Sequence, residues 1–427
     1  MSGVLSTIAL AIFVLGYLGI ILEHKTHISK SALALFTSGA LWILVALSGK
    51  PHIEEEIFHT SAEIFEIVVF LLAAMSLVEI LIHYKFFDFL RSKILKLGLK
   101  EKQQFVLITT IAFFLSAVID NLTATIVFIQ ISRKFFQKEN LPVAAAAIVV
   151  AANAGGAFSP LGDVTTIMLW LADKFTASQI IARGFLPSLT IFLVSLFFFY
   201  RQIKESKYDE TDDVIVGLTK SEKIVIGVVF ASYMLPLVMH FFGLPPYFGL
   251  LLGLGTVWII VDIFKIVISK HQTHLSVSID SLLQKTDISS IKFFIGILLA
   301  VSALNSLGVL EQMSHVVYGE APSFNRFIVG TTGLGMVSAV LDNVPLTAIA
   351  IQVLHTDITS LWVLFAVTVG TGGSMLIVGS AAGVVCMGMV KELDFARYLK
   401  IATIPATLAY FAGIGVWYLQ YLVMGPI

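Results

Sequence analysis

The chain holds little charge. Only 13% of its 427 residues are Asp, Glu, Lys or Arg, against about a quarter in soluble domains, so an ordinary water-soluble enzyme is excluded. Neither sign is in excess. The balance of 27 Lys and Arg against 28 Asp and Glu lacks the electrostatic footprint of a nucleic-acid binder. A single cysteine, Cys386, allows no intramolecular disulfide and no thiolate cluster. Three motifs are also missing. The nearest approach to H-E-x-x-H is His59-Thr-Ser-Ala-Glu63, G-x-G-D is replaced by Pro160-Leu-Gly162-Asp163, and there is no P-loop. These absences speak against a zinc protease, an intramembrane aspartyl protease and an ATP-driven pump. What abounds is apolar: 57% of residues are hydrophobic and the mean hydropathy is +0.93. Disorder is excluded, and a polytopic all-α membrane protein remains. At about 20 apolar residues per span there is material for roughly ten to twelve.

The first apolar run, residues 4–22, has no basic residue before it and no small-residue cleavage site after it. It reads as a retained span rather than a secretory signal. Further spans are expected over 31–48, 57–84, 142–172, 176–200, 221–241, 247–265, 290–311, 358–390 and 398–422. Two runs are ambiguous. One lies between Lys102 and Arg133 with Asp120 as its only charge, the other between Arg326 and Asp357 with Asp342 as its only charge. Each is either one long tilted span or a re-entrant hairpin tipped by the aspartate. As a hairpin, the first has arms of about 25 and 18 Å, neither long enough for about 30 Å of hydrocarbon.

The positive-inside rule separates the two readings. With both runs as hairpins, 23 of the 27 basic residues fall on one side, and only Lys50, Lys174, Arg183 and Arg326 fall on the other. With both as single spans the split is 14 against 13, which is no bias. The expectation is therefore about ten transmembrane helices plus two re-entrant hairpins, the basic side cytoplasmic and both termini outside.

The two runs resemble each other. Ser116-Ala-Val-Ile-Asp120-Asn121-Leu-Thr123 parallels Ser338-Ala-Val-Leu-Asp342-Asn343, with Gln130 and Gln352 closing each. A Gly-Gly segment follows each: 154–163, with Gly155, Gly156, Pro160 and Gly162, then 371–380, with Gly372, Gly373 and Gly379. Each half then contains three spans, a hairpin and two spans, entered in opposite directions. That is an inverted-topology repeat, which places substrate at the midplane on broken helices.

A carboxylate at mid-membrane costs roughly 2.5–3.5 kcal/mol on insertion scales. Asp120 and Asp342 can cap the second arm of their hairpins, where the helix dipole favours negative charge. A neutral Asn or Ser would cap without that cost, so an ion-handling role is expected beside the cap. Asn121, Thr123, Asn343 and Thr347 add neutral oxygens, and a hard cation takes oxygen ligands of both kinds. Residues Asn153–Thr166 read as a helix break with Asp163, Thr165 and Thr166 just after it, against the plainer reading of a proline kink. The matching stretch in the second half offers Ser374 and Ser380 but no carboxylate, so the site is expected to be asymmetric. His59, Glu63 and Glu66 share a face of the third span. Glu66 is the deepest and the better candidate for a proton-linked role, while His59 and Glu63 also fit a water-facing helix end. Residues 86–99 read as an amphipathic helix on the inner membrane surface.

These motifs, in this order over nearly the whole chain, resemble the NhaD-type sodium/proton antiporters of the ion transporter superfamily. The resemblance implies a homodimer in the inner membrane, with a scaffold and a moving transport domain in an elevator mechanism. On that pattern residues 1–100 and 221–322 are scaffold, and 101–200 and 323–427 are transport parts. Those transport parts hold hairpins 103–137 and 323–355 and broken helices 142–172 and 358–390, and 201–220 is a cytoplasmic linker. It also implies Asp120, Asn121, Asn153, Asp163, Thr165, Thr166, Asp342 and Asn343 as the ion-site set, with Na⁺ held at Asp120, Asn121, Asp163 and Asp342. His59 and Glu66 are implied as functional residues. No cofactor and no nucleic-acid partner are expected; Na⁺ or Li⁺ and H⁺ are the transported ions and lipid is the surrounding. Related carboxylate symporters carry Ser where this chain carries Asp at both hairpin tips. That difference favours antiport, because a Ser exchanges no proton near neutral pH. The rival expectations are a sodium-coupled symporter of a small carboxylate or anion, and an oxyanion efflux permease.

Overall fold

The computed structural model describes residues 2–136, 139–204, 217–267, 278–319 and 323–427. Most of the expected linker, and the end of the first hairpin at residue 137, lie outside them. Among the described residues the chain is helical, with no strand. Eight helices are long and apolar enough to cross a membrane: Val4–Ile21, Lys30–Leu47, Ile53–His83, Ala177–Gln202, Lys220–Phe241, Tyr247–Val267, Ile288–Ser306 and Thr403–Met424. They correspond to eight of the ten expected spans.

The remaining two are broken. Residues 142–172 form Leu141–Gly156 and Val164–Leu171, and 358–390 form Thr359–Gly372 and Ala381–Met389. The interruptions coincide with the Gly and Pro clusters, so the chain unwinds rather than kinks at Pro160. Leu141–Gly156 is buried along its whole length and Thr359–Gly372 nearly so. A helix that is apolar on every face belongs in the interior, and these two form the centre of the bundle.

The two ambiguous runs are each two short helices with a turn at the aspartate. Glu101–Ser116 is followed by Asn121–Phe135, and Phe324–Val337 by Asn343–Val353. At about 1.5 Å per residue the longest arm, with 16 residues, reaches only about 24 Å, short of the hydrocarbon thickness. Side-chain locks fix where each pair begins. Asn140, just after the first pair, donates to Glu101 Oε1 at 2.9 Å and to the Lys204 carbonyl at 2.8 Å, and Gln202 donates to the Ile401 carbonyl at 3.1 Å. At the opposite ends of Ala177–Gln202 and Thr403–Met424, Phe324 stacks on Tyr421 at 4.4 Å between ring centroids, and Arg183 donates to the Met424 carbonyl. The two pairs thus enter the bundle from opposite ends, and their aspartate tips meet inside.

Close backbone approach makes that possible. A Cβ on Gly155 would overlap the carbonyl oxygen of Phe113, and one on Gly372 would overlap that of Gly335. The first arm of each pair packs directly on the broken helix that follows it. Phe86–Leu95 is a separate short helix with Phe87, Ser92 and Ile94 turned inward. Its Lys93 ammonium lies over the Phe89 ring at 5.3 Å.

Candidate functional site

The two tips and the two breaks converge on Asp163, which is 1% exposed. It is the N-cap of Val164–Leu171, and its Oδ1 accepts from the Thr165 backbone N–H at 2.8 Å. The Asn121 amide, from the first tip, donates to Asp163 Oδ2 at 2.7 Å and to Asn153 Oδ1 at 2.9 Å. The Asn343 amide, from the second tip, reaches both carboxylate oxygens at 3.2 and 3.3 Å. Asn153 in turn donates to Ser374 Oγ at 2.8 Å and Ser380 Oγ at 3.2 Å. Four discontinuous segments are tied by one hydrogen-bond network with one buried carboxylate at its centre. Each tip amide spends its nitrogen on Asp163, which leaves its oxygen as a neutral ligand for a cation.

Asp120 and Asp342 are both caps, and both also border the site. Asp120 accepts from the Thr123 N–H at 2.8 Å and from the Thr123 hydroxyl at 2.6 Å. Asp342 accepts from the Val344 N–H at 3.1 Å. Both are half-buried, and with Asp163 they line one cavity of about 70 Å³. Among the described residues no three His, Cys, Asp or Glu side chains are grouped closely enough to hold a metal ion by themselves, so a hard cation here also draws on neutral oxygens. Asp120, Asn121, Asp163 and Asp342, the residues expected to hold Na⁺, all line that one cavity. Each tip carboxylate is drawn back onto its own helix by the cap.

Other expected residues sit nearby with local duties. The Thr166 hydroxyl donates to the Asp163 carbonyl and that of Thr347 to the Asn343 carbonyl, both at 2.8 Å. Thr165 is fully buried beside its cap. His59 and Glu66 are not at this network. His59 Nδ1 lies 3.3 Å from Glu63 Oε1 on an exposed face. Glu66 lines a second cavity of about 100 Å³ with Thr60, Glu63 and Gln352. The two cavities lie along the same four helices. Leu71 and Ala74 face the aspartate cavity where Glu63 and Ile67 face the other. Val164 and Ile167 likewise face the aspartate cavity, and Met168 and Leu171 the other.

Several neighbours carry no signal in the sequence. The Asp342 backbone N–H donates to the Tyr17 hydroxyl at 3.0 Å, across 325 residues. Tyr233, Ser290 and Lys30 line the aspartate cavity. Tyr17 is one aromatic in an apolar span, and Lys30 is one charge among the 27 basic residues.

Helix breaks meeting at a buried carboxylate inside a helical bundle define a membrane transporter of the secondary type. Comparison with known proteins agrees. The chain matches the citrate transporter family (CitMHS) over residues 8–370. It is 36% identical over 420 residues to sodium/proton antiporter 1 of Arabidopsis thaliana, covering 95% of this chain and 71% of that protein. It is 34% identical over 423 residues to sodium/proton antiporter 2 of the same plant, covering 96% and 98%. It is 28% identical over 437 residues to the Na(+)/H(+) antiporter NhaD of Halomonas elongata, covering 95% and 87%. The chain belongs to the citrate transporter family and, within it, to the NhaD-type antiporters.

Proposed function

We propose that the protein is a secondary Na⁺(Li⁺)/H⁺ antiporter in which the two ions compete for the carboxylates of Asp163, Asp120 and Asp342. The observation that carries this reading is the Asp163 network: a buried carboxylate contacted by an amide from each tip, in a cavity shared with two more carboxylates. A carboxyl group there is neutralised either by a proton or by a cation, and the two exclude each other. Neutral oxygens from Asn121, Asn343 and Thr123 complete a hard-cation environment. The names of the relatives point the same way.

The two halves act as an inverted repeat with the hairpins and broken helices as the moving transport part. The remaining spans form a scaffold within a homodimer. Because the basic end is cytoplasmic by the charge rule, both termini lie outside the inner membrane. Protons arriving from outside displace Na⁺ outward; the protonated domain returns and releases H⁺ inside. Domain movement is favoured only when one ion or the other neutralises the site, since a bare buried carboxylate is costly to carry across.

The test is proton movement in inverted membrane vesicles with an acid interior. Addition of Na⁺ or Li⁺ is expected to collapse the pH gradient, choline is not, and Asp120→Asn is expected to abolish the response. No response to any cation across the pH range would discard antiport. The family description supports a second reading, Na⁺-coupled uptake of a small carboxylate. A cavity lined by three aspartates repels an anion, which ranks that reading second; citrate-dependent Na⁺ entry would reverse the order.

A further inference from the structure

We infer that Lys30 is a tethered cation at the mouth of the aspartate cavity, which an incoming Na⁺ must outcompete and which thereby sets the apparent Na⁺ affinity. The inference rests on the antiport reading for its direction of transport but not for its binding test.

Two neighbouring cavities share a wall. One is the aspartate cavity. The other is a vestibule of about 220 Å³ bordered by Glu23, Asp287 and Asp342. Lys30, Asp342, Ser290, Ser380 and Leu122 border both. Among the described residues, Lys30 is the only basic one lining either. An ion passing from the vestibule to Asp163 across this shared wall passes residues Lys30 and Asp342.

Three features hold the ammonium there. Lys30 opens the helix Lys30–Leu47, so its side chain starts at a fixed point of the bundle. Its backbone N–H donates to Glu23 Oε1 at 2.9 Å. Its Nζ sits 4.9 Å from the centroid of Phe293, a residue that also lines the aspartate cavity. A cation over an aromatic face is attracted to it, more so where water is excluded. A lysine is the wrong sign for the first turn of a helix, where the dipole favours anions. The helix itself gives no reason for it, whereas the acidic mouth does. Lys30 borders the same vestibule as Glu23, Asp287 and Asp342.

A fixed positive charge at this point has two effects. It lowers the affinity of Asp342 for Na⁺ by occupying part of its field. It also keeps the mouth from trapping cations, so that bound Na⁺ leaves. Because Lys30 acts through Asp342 and touches no reacting atom, it is a positioning residue.

The experiment measures binding of radiolabelled Na⁺ to the purified full chain, and Na⁺-dependent proton flux in vesicles, for wild type, Lys30→Gln, Lys30→Arg and Lys96→Gln. Lys30→Gln is expected to tighten Na⁺ binding and lower the Na⁺ KM by about five-fold or more, given one unit charge several ångströms away in a partly wet site. The maximal rate is expected to fall in the same variant. Lys30→Arg is expected to keep wild-type values. Lys96→Gln removes an exposed charge elsewhere on the basic end and is expected to change neither. A purely structural role would lower the amount of folded protein without tightening Na⁺ binding. Unchanged or weaker Na⁺ binding in folded Lys30→Gln, as judged by gel filtration and melting temperature, overturns the inference while leaving antiport standing. Wild-type protein that binds Na⁺ but moves no protons overturns antiport alone. Wild-type protein that binds no Na⁺ overturns both.

Discussion

Replacing Asp163 by Asn separates charge from shape. The amide keeps the volume, and its oxygen still caps Val164–Leu171 by accepting from Thr165, since Asn is as good a cap as Asp. Its nitrogen meets the donated amides of Asn121 and Asn343, which rotate to present their oxygens instead. The fold is therefore expected to survive. The ion site is not. A unit charge about 2.4 Å from a bound hard cation contributes about 7 kcal/mol at an effective dielectric of 20. If ion dehydration and relaxation cancel more than half, about 3 kcal/mol remains, or roughly a hundred-fold in Na⁺ affinity. One of the three proton-binding carboxylates, the one at the centre of the network, disappears with it, because an amide does not titrate. The assay is Na⁺-driven decay of a pH gradient in inverted vesicles, with gel filtration and a melting curve to establish folding. Ser374→Ala is the comparator. It deletes a neutral acceptor of Asn153, at 2.8 Å, worth about 1 kcal/mol, so a KM change of only about five-fold is expected. Folded Asp163→Asn protein with Na⁺-driven flux within about three-fold of wild type would refute the reasoning.

Three further outcomes are expected. Thr123→Val removes the hydroxyl held at 2.6 Å by Asp120 and frees that carboxylate from part of its cap; a shifted Na⁺ KM with a melting loss of about 1 kcal/mol is expected, read by flux titration and calorimetry. Gly155→Ala and Gly372→Ala force a Cβ into the Phe113 and Gly335 carbonyls. Each is expected to cost about 1–3 kcal/mol as overpacking, seen as a lower melting temperature, while Gly39→Ala, with open space around it, is expected to leave the melting temperature unchanged. Cysteines replacing Asn305 and Gln352, whose longer side chains meet at 3.0 Å, are expected to be bridged by a short bifunctional methanethiosulfonate reagent, and that bridge is expected to stop exchange and to be reversed by reductant. Because the one native cysteine, Cys386, is buried, the cross-link is read cleanly by mobility shift. Full exchange by the cross-linked protein would argue against relative movement of those two helices.

Much of the helical outline is written locally. Continuous apolar runs have no way to satisfy their backbone in lipid except as helices, so the eight long spans follow from residue type alone. The breaks at 157–163 and 373–380 follow from Gly155, Gly156, Pro160 and Gly162, and from Gly372, Gly373 and Gly379, which do not propagate a helix. The capping roles of Asp120 and Asp342 are local too, since each accepts from a backbone N–H two or three residues on. Asp163 stands out by lying next to a break. The tertiary structure decided the rest. That Asn121 and Asn343 both turn their amides to Asp163 depends on two hairpins entering from opposite ends. Tyr17 reaches Asp342, and Lys30 lines the same cavity, from more than 300 residues away. Glu66 shares a helix with residues lining the aspartate cavity yet lines a different cavity, and His59 lies on that helix's exposed face, because a long helix serves several surroundings along its length. Sequence fixes which segments are helical and where a charge is too costly to be idle. Only packing decides which distant charges face one another, because that depends on the crossing of helices far apart in the chain.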